Sequence, residues 1–163
     1  MSGRMARISR MLMIQPHFAF SVILPDYVAG PLASPSPGAY STHGWLNQVF
    51  SGDTSGPALA VMNPASRFVD VRDVAAIQVA AMLDSSADHR RLFAAPHKFT
   101  LDEILGIWRK AFPDRKILDD RNFQDQPIVD VDDQESTDLI KAYLGRGWFS
   151  LEETVIANVQ DVL

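Results

Sequence analysis

The sequence predicts an α/β fold with a few parallel strands covered by helices. Two observations carry that prediction. Phe18 to Leu24 is an almost unbroken apolar run, as in parallel strands covered on both faces. Beyond it, short extended stretches alternate with stretches of helical periodicity. There is no internal repeat and no low-complexity tract.

The elements follow in order. Residues 1 to 14 carry Arg4, Arg7 and Arg10 and no acid. On a helix Met1, Met5, Ile8 and Leu12 would share one face, so this is a basic amphipathic helix or a leader such as a transit peptide. The segment from Gly30 to Gly44, rich in proline, is expected to be a loop, and Trp45 to Phe50 a short helix. Ala58 to Met62 and Arg67 to Val69 are expected to be extended. Asp73 is placed to cap a helix over Val74 to Leu83, and Arg91 to Ala95 is a further strand. Thr100 with Glu103 forms a capping box ahead of a helix that ends at Pro113. Two more helices are expected near Thr137 to Leu144 and Leu151 to Val162, the second behind a Ser150–Glu153 capping box.

Composition excludes several functions. A length of 163 residues is enough for one core, divided here into residues 1–14 and 15–163. The net charge of −5 argues against nucleic acid as a partner. With no cysteine, disulfides, thiolate zinc sites and Cys nucleophiles are out, which fits a cytoplasmic setting. No apolar run is long enough to span a bilayer. The four histidines are scattered without metal-ligand spacing, so no metal site is expected. Asp119 to Asp138 holds eight acids and one arginine. Its calcium-loop appearance fails, because Glu135 and Lys141 stand where a Gly and a Glu are needed.

Three landmarks carry a family resemblance: Pro25-Asp26-Tyr27-Val28-Ala29-Gly30-Pro31, Arg67-Phe68-Val69-Asp70-Val71-Arg72-Asp73-Val74-Ala75, and Leu144 to Phe149 leading into Ser150 to Val159. In this order and spacing they resemble the C-terminal half of the extended short-chain dehydrogenase/reductases, the NAD-dependent epimerase/dehydratase family. Within it, the nearest branch is similar to dihydroflavonol reductases and aldehyde/ketone reductases. The resemblance implies part of a Rossmann-type fold, with the Pro25 loop at the carboxyl end of a central strand, where open α/β sheets bind ligands. It implies that Pro25, Val28 and Ser41 face the nicotinamide end of NADP or NAD, and that Tyr27 and Trp45 line a pocket for a small carbonyl substrate. Trp45 also suits plain helix packing.

The chemistry of that family needs more than this loop. No glycines here have the spacing of a pyrophosphate-binding turn. Four residues after Tyr27, Tyr40 and Tyr143 stand Pro31, Gly44 and Gly147, so no Tyr-x-x-x-Lys pair is present. No catalytic residue is therefore assigned, and tight NAD(P) binding or turnover by this chain alone is not expected. The reading is a truncated carbonyl reductase or epimerase/dehydratase. The alternative is a non-catalytic binding or regulatory module derived from that fold. An uncovered sheet edge is expected to drive self-association or pairing with a missing N-terminal half.

Overall fold

A computed structural model of the chain describes residues 17–34, 41–54, 58–61, 66–122 and 128–163. The N-terminal basic helix expected over residues 1–14 lies outside the described residues.

Among the described residues five strands form two small sheets. Strand β1 (Val22–Pro25) pairs parallel with β4 (Arg91–Ala94), Val22 opposite Arg91 and Pro25 opposite Ala94. Strand β2 (Tyr27–Ala29) pairs parallel with β3 (Ser66–Asp70), which pairs antiparallel with β5 (His97–Phe99). The α/β reading with parallel strands holds. The first strand is shorter than its apolar run, because Phe18 and Phe20 are exposed and precede the paired residues. Among the described residues β1 pairs only with β4, so its other edge has no described partner.

The helices are α1 (Ser41–Phe50), α2 (Ala58–Val61), α3 (Val71–Leu83), α4 (Leu101–Ala111), α5 (Gln134–Leu144) and α6 (Leu151–Asn158), followed by a 3₁₀ turn (Gln160–Val162). Both capping boxes form as expected. Thr100 and Ser150 each accept from the backbone N–H three residues on, and Glu103 and Glu153 reach back to the cap N–H groups. Gly145 ends α5 in the left-handed region at φ 64°, its N–H on the Lys141 carbonyl.

Several expectations are corrected. Ala58 to Val61 is helical rather than extended; alanine favours helix, and Ala58 is fully buried in the core that includes Phe50. Met62 lies outside the described residues. The loop expected from Gly30 to Gly44 ends earlier, since α1 already begins at Ser41. Tyr27 to Ala29, read as loop, is β2, where Tyr27 and Val28 stand opposite Phe68 and Val69. The cap of α3 is Asp70, whose carboxylate accepts from the Arg72 N–H, while Asp73 sits in the first turn with other partners. The last helix stops at Asn158, not Val162.

Two cores result. One gathers Phe50 of α1, Phe68 of β3, Phe99 of β5, Leu105 and Trp108 of α4 and Val155 of α6. The other packs Val69, Ile77 and Ala80 against Leu92 of β4 and Leu139 and Ile140 of α5. Strand β3 contributes to both, so it ties α4 and α6 on one side to α3 and α5 on the other.

Candidate functional site

The Pro25 loop leaves the carboxyl end of β1 and turns directly into β2. Pro25 closes the β1–β4 ladder and is exposed; Val28 is half-buried. The turn is tied down at Asp26, Val28 and Gly30. The Asp26 carboxylate accepts from the Ser66 hydroxyl at 2.9 Å and the Arg67 N–H at 3.2 Å. The Thr42 hydroxyl, in the first turn of α1, donates to the Val28 carbonyl. The Gly30 N–H donates to the Asn158 carboxamide oxygen at 3.0 Å, and the Gly30 carbonyl lies 3.1 Å from His43 Nδ1.

Gly30 has φ +121°, which disfavours any L side chain. Nor is there room for one. A Cβ would come within 3.0 Å of Asp70 Oδ1 and 3.1 Å of Val71 Cγ1. The glycine is required because loop backbone and cap carboxylate meet there.

Asp70 is fully buried and carries four bonds: the Arg72 N–H at 2.8 Å, Arg72 Nε at 2.8 Å, an Arg72 terminal nitrogen at 2.7 Å and the Thr154 hydroxyl at 2.9 Å. Asp73, also fully buried, accepts from Arg146 at 2.8 Å and from the Phe149 N–H at 2.8 Å. The Phe149 ring stacks with both guanidiniums, 3.6 Å from Arg72 and 3.9 Å from Arg146. The Asp-Val-Arg-Asp stretch thus anchors the segment leading into α6, and α6 returns to the loop.

Tyr27 and Trp45 do come together, with ring centroids 6.3 Å apart, and Tyr27 also meets Phe99 edge-on at 5.4 Å. Both rings pack against the aromatic core. Burial, reinforced by the Asp26 carboxylate, pushes the Tyr27 phenol well above its ordinary value. That is the wrong direction for a proton donor. Ser41 is exposed and opens α1, one residue before the Thr42 that holds Val28. Arg67 donates to the Val129 and Ala95 carbonyls and lies 3.6 Å from Asp130.

Charge at the helix starts bears on what part of a dinucleotide could be held. Helices α3, α4, α5 and α6 all carry an acid in the first turn: Asp73, Asp102 with Glu103, Glu135, and Glu152 with Glu153. A pyrophosphate is favoured by the free N–H groups and positive dipole end of a helix start. Those four termini are capped or screened by carboxylates. None of those four starts suits a pyrophosphate, whereas α1 carries no acid in its first turn. No cluster of three or more His, Cys, Asp or Glu side chains suited to a metal occurs among the described residues, and no described helix is long and apolar enough to cross a membrane.

His97 opens β5 opposite Phe68, on whose ring it stacks with centroids 5.1 Å apart. Its Nε2 is buried without a hydrogen-bond partner among the described residues. Burial lowers its pKa, outweighing a hydrogen bond with the Phe149 backbone and the carboxylates of Asp133 and Asp73. A histidine whose folded pKa is depressed binds its proton more readily when unfolded. Stability is therefore expected to fall as pH drops below about 6.5, the ordinary histidine value. Urea unfolding across that range should show the slope in the native chain and a flatter profile in His97→Gln.

The sequence reading missed His43, Thr154 and Asn158. The spacing of His43 and Asn47, one helical turn apart, was a usable signal. So was Asn158, a polar residue between Val155 and Val159 in the closing helix.

No family model matches the chain. It is similar to aldehyde reductase 2 of Sporidiobolus salmonicolor, 31% identical over 142 residues, covering 86% of this chain and 40% of that protein. Ketoreductase adrE of Penicillium roqueforti is 29% identical over 148 residues, covering 89% of this chain and 43% of that protein. Among solved structures, Gre2 from Candida albicans superposes with a TM-score of 0.74 at 23% identity, covering 98% of this chain and 48% of that one. The chain thus spans less than half the length of these relatives. Landmarks, fold and relatives agree: the proteins this chain resembles are aldehyde and keto reductases and NAD-dependent epimerase/dehydratase family members, and their solved structures share its fold.

Proposed function

We propose that these residues form the nicotinamide-side and substrate-side walls of an NAD(P)-dependent carbonyl reductase. The phosphate-binding turn and proton donor of that reductase come from residues outside this sequence. One observation carries the reading: the Pro25–Gly30 turn stands at the carboxyl end of a parallel strand and is held by Thr42, His43, Asp26 and Asn158. A reduced dinucleotide, when bound, supplies the hydride for carbonyl reduction. Pro25 and Val28 give the ring an apolar surface, Ser41 lies on the cofactor side, and Tyr27 and Trp45 border the substrate. Among the described residues the second edge of β1 has no partner, and Phe18 and Phe20 just before the strand are 67% and 62% exposed; completing residues or a second copy would pair there.

A second reading is a non-catalytic module that keeps the pocket wall. The absence of Tyr-x-x-x-Lys from the sequence and the acidic helix starts favour it. One experiment separates the two. The matching segment of Sporidiobolus aldehyde reductase 2 is replaced by residues 17–163 of this chain, and NADPH consumption is followed with an aldehyde substrate. The expected result is turnover by the chimera and none by the chain alone. A folded chimera that binds NADPH without turnover points to the module, and one that does not bind NADPH sinks the nicotinamide assignment.

A further inference from the structure

Asn158 stands in the last turn of α6, far in sequence from the loop it touches, and its side chain is fully buried. Its carboxamide oxygen accepts the Gly30 N–H at 3.0 Å and lies 3.1 Å from His43 Nδ1. Its amide nitrogen donates to Asn47 Oδ1 at 3.0 Å and to the His43 carbonyl at 3.3 Å.

Hydrogen-bond chemistry leaves one arrangement of this network. A backbone N–H can only donate, so the Asn158 oxygen must face Gly30 and its nitrogen must face Asn47. Asn47 then accepts with Oδ1 and presents its Nδ2 to His43 Nε2 at 3.0 Å. His43 Nε2 must accept, which puts the ring proton on Nδ1, aimed at the Gly30 carbonyl and the Asn158 oxygen. The Asp161 carboxylate at 3.6 Å from Nε2 is too far for a hydrogen bond.

Both peptide groups of Gly30 are therefore held, the N–H by Asn158 and the C=O by His43. Thr154, one turn before Asn158 on the same helix, fixes the Asp70 carboxylate that occupies the space beside the Gly30 Cα. Helix α6 thus acts on Gly30 twice, once directly and once through Asp70. Burying a carboxamide is costly unless all its groups are bonded, and a fully satisfied polar network holds one geometry.

We propose that Asn158, with His43, is a positioning residue through which the C-terminal helix sets the turn at Gly30, and so the presentation of Pro25 and Val28 to a nicotinamide ring. This rests on the reading of the loop given above. It makes docking of α6 a condition for nicotinamide binding, although no α6 side chain need touch the ring.

The test is NMR on the full chain, with reduced nicotinamide mononucleotide as the probe. Val28 methyl shifts report binding, Gly30 amide exchange reports the turn, and Val69 amide exchange reports general stability. Asn158→Leu keeps the bulk and removes the acceptor; Asn158→Asp keeps an acceptor for Gly30. In Asn158→Leu, Gly30 exchange relative to Val69 is expected to rise about tenfold, about 1.4 kcal/mol and the scale of one lost hydrogen bond. Probe affinity should weaken with it, and Asn158→Asp should restore much of both. Unchanged relative exchange, or unchanged affinity, overturns the proposal. Absence of any Val28 shift in the native chain would instead overturn the nicotinamide reading, and the cofactor role of Asn158 with it; Gly30 exchange still shows separately whether the helix sets the turn. If Asn158→Leu does not fold, His43→Leu, which removes the contact to the Gly30 carbonyl, is judged by the same criteria.

Discussion

Replacing Trp108 by alanine is expected to remove about 3–5 kcal/mol of unfolding free energy. Trp108 is fully buried at the centre of the larger core, with Phe50 edge-on at 5.1 Å. Its indole N–H also donates to the Val155 carbonyl at 3.1 Å, which fastens α4 to α6. Truncation leaves a cavity bounded by rings from several elements, which cannot all collapse into it, together with a carbonyl deprived of its donor. Against a typical total of about 5–15 kcal/mol, such a loss takes the chain close to unfolding at ambient temperature. Trp108→Phe should lose less, since it keeps most of the volume and gives up mainly the hydrogen bond, worth about 1 kcal/mol. Urea titration followed by circular dichroism measures both. A cost below about 1 kcal/mol for the alanine variant would mean that α6 is not held through this residue.

Asp70→Ala is expected to be the next most damaging change, at roughly 2–4 kcal/mol. The carboxylate caps α3, accepts the Thr154 hydroxyl and pairs with Arg72. Losing the cap costs about 1 kcal/mol, and the stranded buried hydroxyl adds about 1–3 kcal/mol. Arg72 adds less, because its side chain is 38% exposed and can be rehydrated. For a chain of this size the midpoint of thermal unfolding should drop by roughly 5–15 °C. Asp70→Asn retains a cap acceptor and should lose less than the alanine variant. Equal losses for the two would show that the charge, not the cap, is what matters at this position. The same substitution empties the space beside Gly30, so the loop should loosen along with the helix start.

The reading of the sequence succeeded where the controlling chemistry is local. Thr100 with Glu103 and Ser150 with Glu153 form capping boxes in the structure because all the groups involved lie within one turn of each other. The extended segments expected over Phe18 to Leu24, Arg67 to Val69 and Arg91 to Ala95 overlap the strands Val22–Pro25, Ser66–Asp70 and Arg91–Ala94. The start of α3 was not settled locally. Asp70 and Asp73 are both able to cap, and the contest is decided by Phe149 and Arg146, which occupy Asp73 from a distant part of the chain. Ala58 to Val61 and Tyr27 to Ala29 went wrong for a related reason. A four- or three-residue element has too few positions to show a period, and takes its form from the surface against which it packs.

Of the turn, Pro25, Val28 and Gly30 could be picked out from the sequence, because a proline, a small apolar residue and a glycine in a fixed order already constrain it. The resemblance to the reductase family, and the lack of Tyr-x-x-x-Lys and of a spaced glycine turn, are likewise properties of residue order alone. Only the tertiary structure decided that the turn is governed by residues more than a hundred positions away. Asn158 and Thr154 reach Gly30 and Asp70 because α6 folds back over Trp108. Sequence order can record a turn's own backbone requirements; which side chains satisfy its N–H and C=O groups depends on which elements the core brings together.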